Sequence, residues 1–222
     1  MPIKRLVFIR PGETDWNLQG RWQGWVASPL NELGQQQMAR LAGFIRHIGI
    51  TRLYTSDLHR ARQSAEILAE ELGQEPIYDS RLRERSIGEF QGLNVPEIHG
   101  WYQDEYRKLL ADPEGYRVPG GESIEDVRVR VRQFLDEILA EGNKAKGDQT
   151  IAVLSHTIAI RLMVKQLQPS CDLTDVTFLN SSVTTLVNNG DDTWRLTAVN
   201  DVSHLEGLET RYMPADLRGD DV

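Results

Sequence analysis

The sequence predicts an α/β fold: a three-layer α/β/α sandwich with a mostly parallel sheet and a small cap insertion. Its apolar periodicity switches repeatedly between strand-like and helix-like, and short continuous apolar runs of the kind buried on both faces stand ahead of stretches with helical spacing. No repeat, low-complexity block or linker interrupts this alternation. One domain over residues 1–212 is therefore the expected organisation, with the cap at about residues 85–118 and a mobile tail over 213–222.

Arg5 to Ile9 contains Leu-Val-Phe-Ile, a buried-type strand closed by Gly12. From about Glu32 the positions Met38, Leu41, Ala42 and Ile45 fall at helical spacing, and Gly49 supplies a stop. Leu53-Tyr54-Thr55 reads as a second strand. It leads through Ser56 and Asp57 into a helix with Leu58, Ala61, Ala65, Leu68 and Leu72 on one face, ended by Gly73.

Between Arg81 and Tyr116 the pattern is less regular, with Pro96, Gly100 and Pro113 as punctuation, so loops and short helices forming a cap are expected. Ser123 and Asp126 have the spacing of a capping box ahead of Ile124, Val127, Val131, Phe134, Ile138 and Leu139, the strongest helical pattern in the chain. Within it Arg128, Arg130 and Arg132 are expected on a solvated face. Thr150 to Leu154 is another buried strand, followed from near Thr157 by a helix carrying Ile160, Leu162, Met163 and Leu167. Val183–Asn188 and Thr193–Asn200 flank Asn189-Gly190, a tight-hairpin signal in a loop lengthened by Asp191 and Asp192.

Composition narrows the chemistry. The 222 residues hold 33 Asp and Glu against 25 Lys and Arg, a net charge of −8, so the chain is not broadly basic in the way nonspecific nucleic-acid or anionic-membrane binders are. A single cysteine, Cys171, rules out a disulfide framework or an all-cysteine metal cage. The N-terminal apolar run is too short for a signal peptide or a membrane span. The expectation is a soluble cytoplasmic protein whose partner is a small molecule, not nucleic acid or membrane, with a homodimer left open.

Sheets of this kind bind ligands at the carboxyl ends of their strands. Three such ends deliver Arg10, Arg60 and His156. Two guanidiniums and an imidazole converging on one point would make a site for a dianion, because a guanidinium fork pairs with two phosphate oxygens at once. Taken singly, an arginine just past a strand is more often a surface ion-pair partner and a lone histidine more often a satisfied hydrogen-bonder; their shared topological position is what favours the functional reading.

The segment Ile9-Arg10-Pro11-Gly12-Glu13-Thr14-Asp15-Trp16-Asn17 resembles the Arg-His-Gly-Glu-Thr signature of the histidine phosphatase superfamily, phosphoglycerate-mutase-like branch, with proline in place of the histidine. Further blocks follow in the family's order. They are Arg21-Trp22-Gln23-Gly24 through Gly34, with Ala27 where an aspartate is usual; Ser56 to Ala65; and Leu82-Arg83-Glu84 with Gly88 to Gly92. Pro119 to Ser123, Ser155-His156 and Asn200 to Leu205 complete the match over nearly the whole chain.

The resemblance implies phosphomonoester hydrolysis through a phosphohistidine, with no cofactor and no metal, the arginines supplying the positive charge. It places Arg10, Arg60 and His156 on the phosphoryl oxygens with Asn17 nearby, and makes Glu84 the residue that protonates the leaving oxygen and then activates water. Arg21, Gln23 and Gly24 become candidate substrate contacts. The modest spacing from Glu84 to His156 is closer to the phosphatase members than to the dimeric glycolytic mutases.

Pro11 stands at the nucleophile's position. Proline has no side-chain nucleophile and no N–H, so a phosphoenzyme at this residue is chemically impossible, while the extended geometry it imposes on Arg10 suits a strand end. Several readings follow: a phosphate-binding scaffold with its enzymatic route disabled, a phosphatase in which His156 or water attacks, a non-catalytic phospholigand-binding or interaction module, or a phosphoglycerate mutase. Of the remaining histidines, His59 is expected at the rim or in solvent, His99 in the cap, His47 in a structural role and His204 as indirect support for the site. Arg83 and Arg85, if exposed, would act only weakly on Glu84.

Overall fold

The computed structural model describes residues 3–142, 144, 147–190 and 193–210. Among these residues, six strands form one sheet: β1 (Ile3–Ile9), β2 (Arg52–Thr55), β3 (Pro76–Tyr78), β4 (Gln149–Leu154), β5 (Val183–Asn188) and β6 (Trp194–Asp201). Their order is β3-β2-β4-β1-β5-β6. The first four are mutually parallel, and β5 and β6 add an antiparallel ribbon. The α/β class and mostly parallel sheet are as the sequence predicts.

Among the described residues, seven α-helices accompany the sheet: α1 (Asp15–Leu18), α2 (Glu32–Ile45), α3 (His59–Leu72), α4 (Val95–Trp101), α5 (Gln103–Ala111), α6 (Ile124–Gly142) and α7 (Thr157–Leu167). Successive side chains of a strand point to opposite faces. Leu6 and Phe8 of β1, with Ile151 and Val153 of β4, therefore pack against α6 and α7. Val7, Ile9, Ala152 and Leu154 pack against α2 and α3 on the other face. A third cluster, built from Trp22, Ile87, Phe90, Ile98, Leu109 and Val118, is the core of the cap.

Several boundaries differ from the pattern reading. The first strand begins at Ile3, and β3 is an additional edge strand, only three residues long and too short to show a period. Pro96 does not break the chain; it lies in the first turn of α4, where a missing N–H costs nothing, behind a capping box of Asn94 and Glu97. The Ser123–Asp126 box forms as expected, each side chain meeting the other's backbone N–H, and Gly73 closes α3 in the left-handed region. Arg130 is not solvated. It lies three residues after Val127 and four before Phe134, on the flank of the buried stripe of α6, and its side chain is only 14% exposed. The predicted tail over 213–222 and the loop residues Asp191 and Asp192 lie outside the described residues. Among those described, no helix is long and apolar enough to cross a membrane.

Candidate functional site

In-register pairing brings the ends of three parallel strands level. Ile9 and Thr55 both lie opposite Leu154, and the ladder continues through Ser155 N–H to the Ile9 carbonyl and Ser56 N–H to the Leu154 carbonyl. Arg10, Ser56 and His156 therefore leave the sheet side by side. The pocket above them is lined by Arg10, Pro11, Asn17, Arg60, Glu84 and His156, together with Gln23, Gly24 and Asn180.

Each guanidinium is oriented by carbonyls. Arg10, 6% exposed, donates through Nη1 to Phe178 O. Arg60, 5% exposed and in the first turn of α3, donates through Nη2 to Gly24 O at 3.0 Å. His156 caps α7, with Nε2 2.9 Å from Ser56 Oγ. Burial, followed by the charges of Arg60, Arg10 and Arg130, holds its imidazole well below the ordinary histidine range, so it is neutral at pH 7. Asn17 accepts at Oδ1 from Thr14 N–H at 3.0 Å, which leaves its amide nitrogen as the end able to donate to a ligand.

The loop that carries Pro11 is held from three sides. Its carbonyl accepts from Ser181 N–H at 3.1 Å and Asn180 Nδ2 at 3.2 Å, while Gly12 N–H reaches Ser64 Oγ at 3.3 Å. Glu13 is fully buried, with its N–H on Gln37 Oε1 and its carboxylate accepting from Asn31 Nδ2. The loop lies so close to the start of α2 that a Cβ at Gly34 would stand 2.1 Å from Glu13 O and one at Gly12 2.4 Å from Gly34 O, and this approach requires glycine at both. His204 supports the arrangement from behind, donating through Nε2 to Ser181 O at 3.1 Å and stacking on Phe44.

Glu84 reaches the pocket from the turn after β3. Its carboxylate accepts from Arg85 N–H at 2.8 Å and from Ile158 N–H at 3.2 Å, the latter in the first turn of α7, where backbone donors and the helix dipole favour an anion. Trp25 Nε1 and Arg130 Nη2 both donate to the Glu84 carbonyl, at 2.7 and 2.9 Å.

Gln23 and Gly24 line the pocket as expected, and Arg21 does not. Its guanidinium is bound to the cap, on Glu97 at 2.9 Å and on the Gly92 carbonyl, so it ties the 21–24 loop to α4. Arg85 is 1% exposed, its guanidinium donating to the Glu122 and Tyr116 carbonyls; Arg83 pairs with Asp57 and holds that carboxyl below its usual range. Neither is the freely solvated neighbour expected of it. His59 is exposed.

The sequence reading missed Asn180 and Arg130. Asn180 lies three residues before β5, and an antiparallel strand starts at the end of the sheet where its parallel neighbours finish. That orientation, had it been inferred, would have brought residues 180–182 to the site. Among the described residues, no group of three or more His, Cys, Asp or Glu side chains is placed to hold a metal ion.

Comparison with known proteins agrees with this geometry. The family model of the histidine phosphatase superfamily (branch 1) matches residues 6–202. Phosphoglycerate mutase-like protein 4 of Arabidopsis thaliana is 34% identical over 218 residues, covering 97% of this chain and 92% of the relative. The Probable phosphoglycerate mutase GpmB of Escherichia coli O1:K1 is 33% identical over 165 residues, 73% of this chain and 74% of the relative. Among solved structures, a mycobacterial glucosyl-3-phosphoglycerate phosphatase in complex with inorganic phosphate superposes with a TM-score of 0.78 at 28% identity, covering 90% of this chain and 99% of that one.

Proposed function

The chain belongs to the histidine phosphatase superfamily, branch 1, and we propose that it binds small phosphomonoesters in the Arg10–Arg60–His156 pocket, with hydrolysis strongly impaired because Pro11 replaces the nucleophile. The observation that carries this reading is the shared lining: two buried arginines, a neutral histidine and the Glu84 carboxylate meet around residue 11, which offers no group able to take a phosphoryl. Phosphoryl transfer has a loose transition state, and catalysis comes mostly from positioning and charge neutralisation. Charge neutralisation is intact here. What is missing is the covalent acceptor. A small phosphorylated metabolite in the cytoplasm is the partner that fits; the relatives' names point both to phosphoglycerate mutases and to a phosphatase, and the modest spacing from Glu84 to His156 is what favours hydrolysis.

The test compares this chain with Pro11→His on a panel of phosphomonoesters. Losing the nucleophile of a well-studied protease costs about 10⁶-fold, so a gain of several orders of magnitude on at least one substrate is expected; equal rates would sink the disabled-enzyme reading. A second reading, slow hydrolysis by direct water attack, is favoured by the Glu84 carboxylate lying in the same pocket. In that case any turnover of the unmodified chain disappears in Glu84→Gln. Attack by His156 would instead yield a trappable phosphoenzyme that His156→Ala abolishes.

A further inference from the structure

The Arg130–Glu122 pair stands outside the phosphate cradle, yet it is densely bonded to the turn that carries Glu84. Arg130 Nε and Nη2 meet the two oxygens of Glu122 at 3.0 Å each. Nη1 donates to the carbonyls of Arg81 at 2.7 Å and Arg83 at 2.6 Å, and Nη2 to that of Glu84 at 2.9 Å. A guanidinium has five N–H donors, and these five bonds engage them all. None remains for a ligand, so Arg130 is not a substrate contact.

Glu122 grips the chain on the other side of Glu84. Its carboxylate accepts from Ser86 N–H at 2.8 Å, its own N–H donates to Ser86 O at 2.7 Å, and its carbonyl accepts from Arg85 Nε at 2.9 Å. Residues 81–84 wrap one guanidinium while residue 86 is fixed to that guanidinium's partner. Between the two grips the chain has one way to run, and it aims the Glu84 side chain at the first turn of α7.

We propose that Arg130, braced by Glu122, is a positioning residue for Glu84, setting where its carboxyl group stands relative to the leaving oxygen of a bound phosphomonoester. This rests on the reading of Glu84 as the proton donor of the pocket. The physical basis is that three carbonyls within 2.9 Å of one planar cation hold the turn at three points, and a misplacement of about 1 Å at a reacting group can cost about 10²-fold in rate. Lysine cannot reproduce this. It has three donors on a point charge, against three carbonyls and a bidentate carboxylate.

The test places Arg130→Lys and Arg130→Gln in the Pro11→His background and measures kcat/KM on two substrates together with the Kd for inorganic phosphate. The ratio kcat/KM reports the step in which the leaving oxygen departs, ahead of the water-activating step common to both substrates. With an alkyl phosphate, whose leaving oxygen needs a proton, kcat/KM should fall by about 10²-fold while the phosphate Kd changes by less than about 3-fold. With p-nitrophenyl phosphate, whose leaving group departs unprotonated, the fall should be about ten times smaller. Equal losses of kcat/KM on both substrates, or a loss confined to the phosphate Kd, would overturn the proposal. Glu122→Gln keeps the shape and removes one charge; it should give a smaller loss with the same dependence on leaving group, and covers the case in which the Arg130 variants do not fold. A second readout needs no turnover: carbon-13 NMR of the Glu84 carboxyl in the unmodified chain and in Glu122→Gln. A displaced Glu84 signal with an inactive Pro11→His would leave the positioning intact and sink the enzymatic reading; an unmoved signal would sink the positioning.

Discussion

Replacing Arg60 with methionine isolates how much of the pocket's affinity comes from one guanidinium. Met retains most of the apolar stem and loses the charge. Arg60 is 5% exposed, and a dianion between it and Arg10 would be paired away from bulk water, where screening is weak. Hydrogen bonds to charged groups contribute about 1.5–3 kcal/mol. At 1.4 kcal/mol per tenfold, the Kd for inorganic phosphate should rise by about 10- to 150-fold. The Gly24 carbonyl loses its 3.0 Å donor as well, so about 1–3 kcal/mol of stability goes with it. The titration therefore belongs at a temperature where circular dichroism shows the variant folded.

Calorimetric titration of the unmodified chain against Arg60→Met gives the ratio, and nitrogen-15 NMR of His156 gives an independent check. Arg60 is the largest charge effect depressing that imidazole, after burial. Its removal should let His156 protonate at a higher pH while burial still holds it below an ordinary histidine. A phosphate Kd unchanged within about twofold in a folded variant would refute the assignment of Arg60 to the anion. An unmoved His156 would refute the proximity of the two groups.

Arg21→Ala should leave phosphate affinity unchanged and cost at most about 1 kcal/mol, because the Arg21–Glu97 pair is partly exposed and faces the cap; a tenfold affinity loss would put Arg21 back in the site. Gly34→Ala drives a methyl to 2.1 Å from Glu13 O, so an overpacking cost of about 1–3 kcal/mol is expected in urea melts, with weaker phosphate binding from the displaced loop. Stability should fall as the pH drops below about 6.5: His156 and His204 are both held low by burial, so the unfolded chain takes up protons there that the native chain does not. Above that range the two states bind equally and the contribution is complete; urea midpoints that stay flat from pH 7.5 to 5.5 would contradict it.

Strand-and-helix alternation was readable in the sequence because both faces of the sheet are covered, so the central strands carry continuous apolar runs at Leu6–Ile9 and Ile151–Leu154 and the helices carry one clean stripe. The residues at the carboxyl ends of those strands, Arg10, Arg60 and His156, follow from topology alone. Two kinds of feature were not legible. Asn180 acts across 169 positions on the Pro11 carbonyl, and no local pattern encodes a contact of that range. Arg130 looked like one of three alternating arginines on α6; its burial depends on the 81–86 turn folding over that flank, a contact made by carbonyls, which carry no sequence signature. Arg21 failed in the opposite direction. Its motif position suggested a ligand contact, and Glu97, 76 residues away, claimed the side chain instead.

The hydrogen bonds around residue 11 show why losing a nucleophile need not disturb the cradle. A proline offers the backbone a carbonyl and no N–H. That carbonyl has two donors, Ser181 N–H and Asn180 Nδ2, and the neighbouring amides of Arg10 and Gly12 find Ser182 O and Ser64 Oγ. The loop asks for no N–H at residue 11, so proline leaves none of these bonds unmade. Nor does it change the local field: Arg10 and Arg60 remain, His156 stays neutral, and a chain of net charge −8 still concentrates positive charge where these elements meet. On the proposed reading, binding and group transfer are physically separable in this pocket. The first would depend on buried cations set by the strand ends, the second on a side chain at residue 11 that the hydrogen bonds of the loop do not require. Phosphate affinity measured on the unmodified chain therefore reports the binding contribution alone, with no phosphoenzyme at residue 11 to confound it.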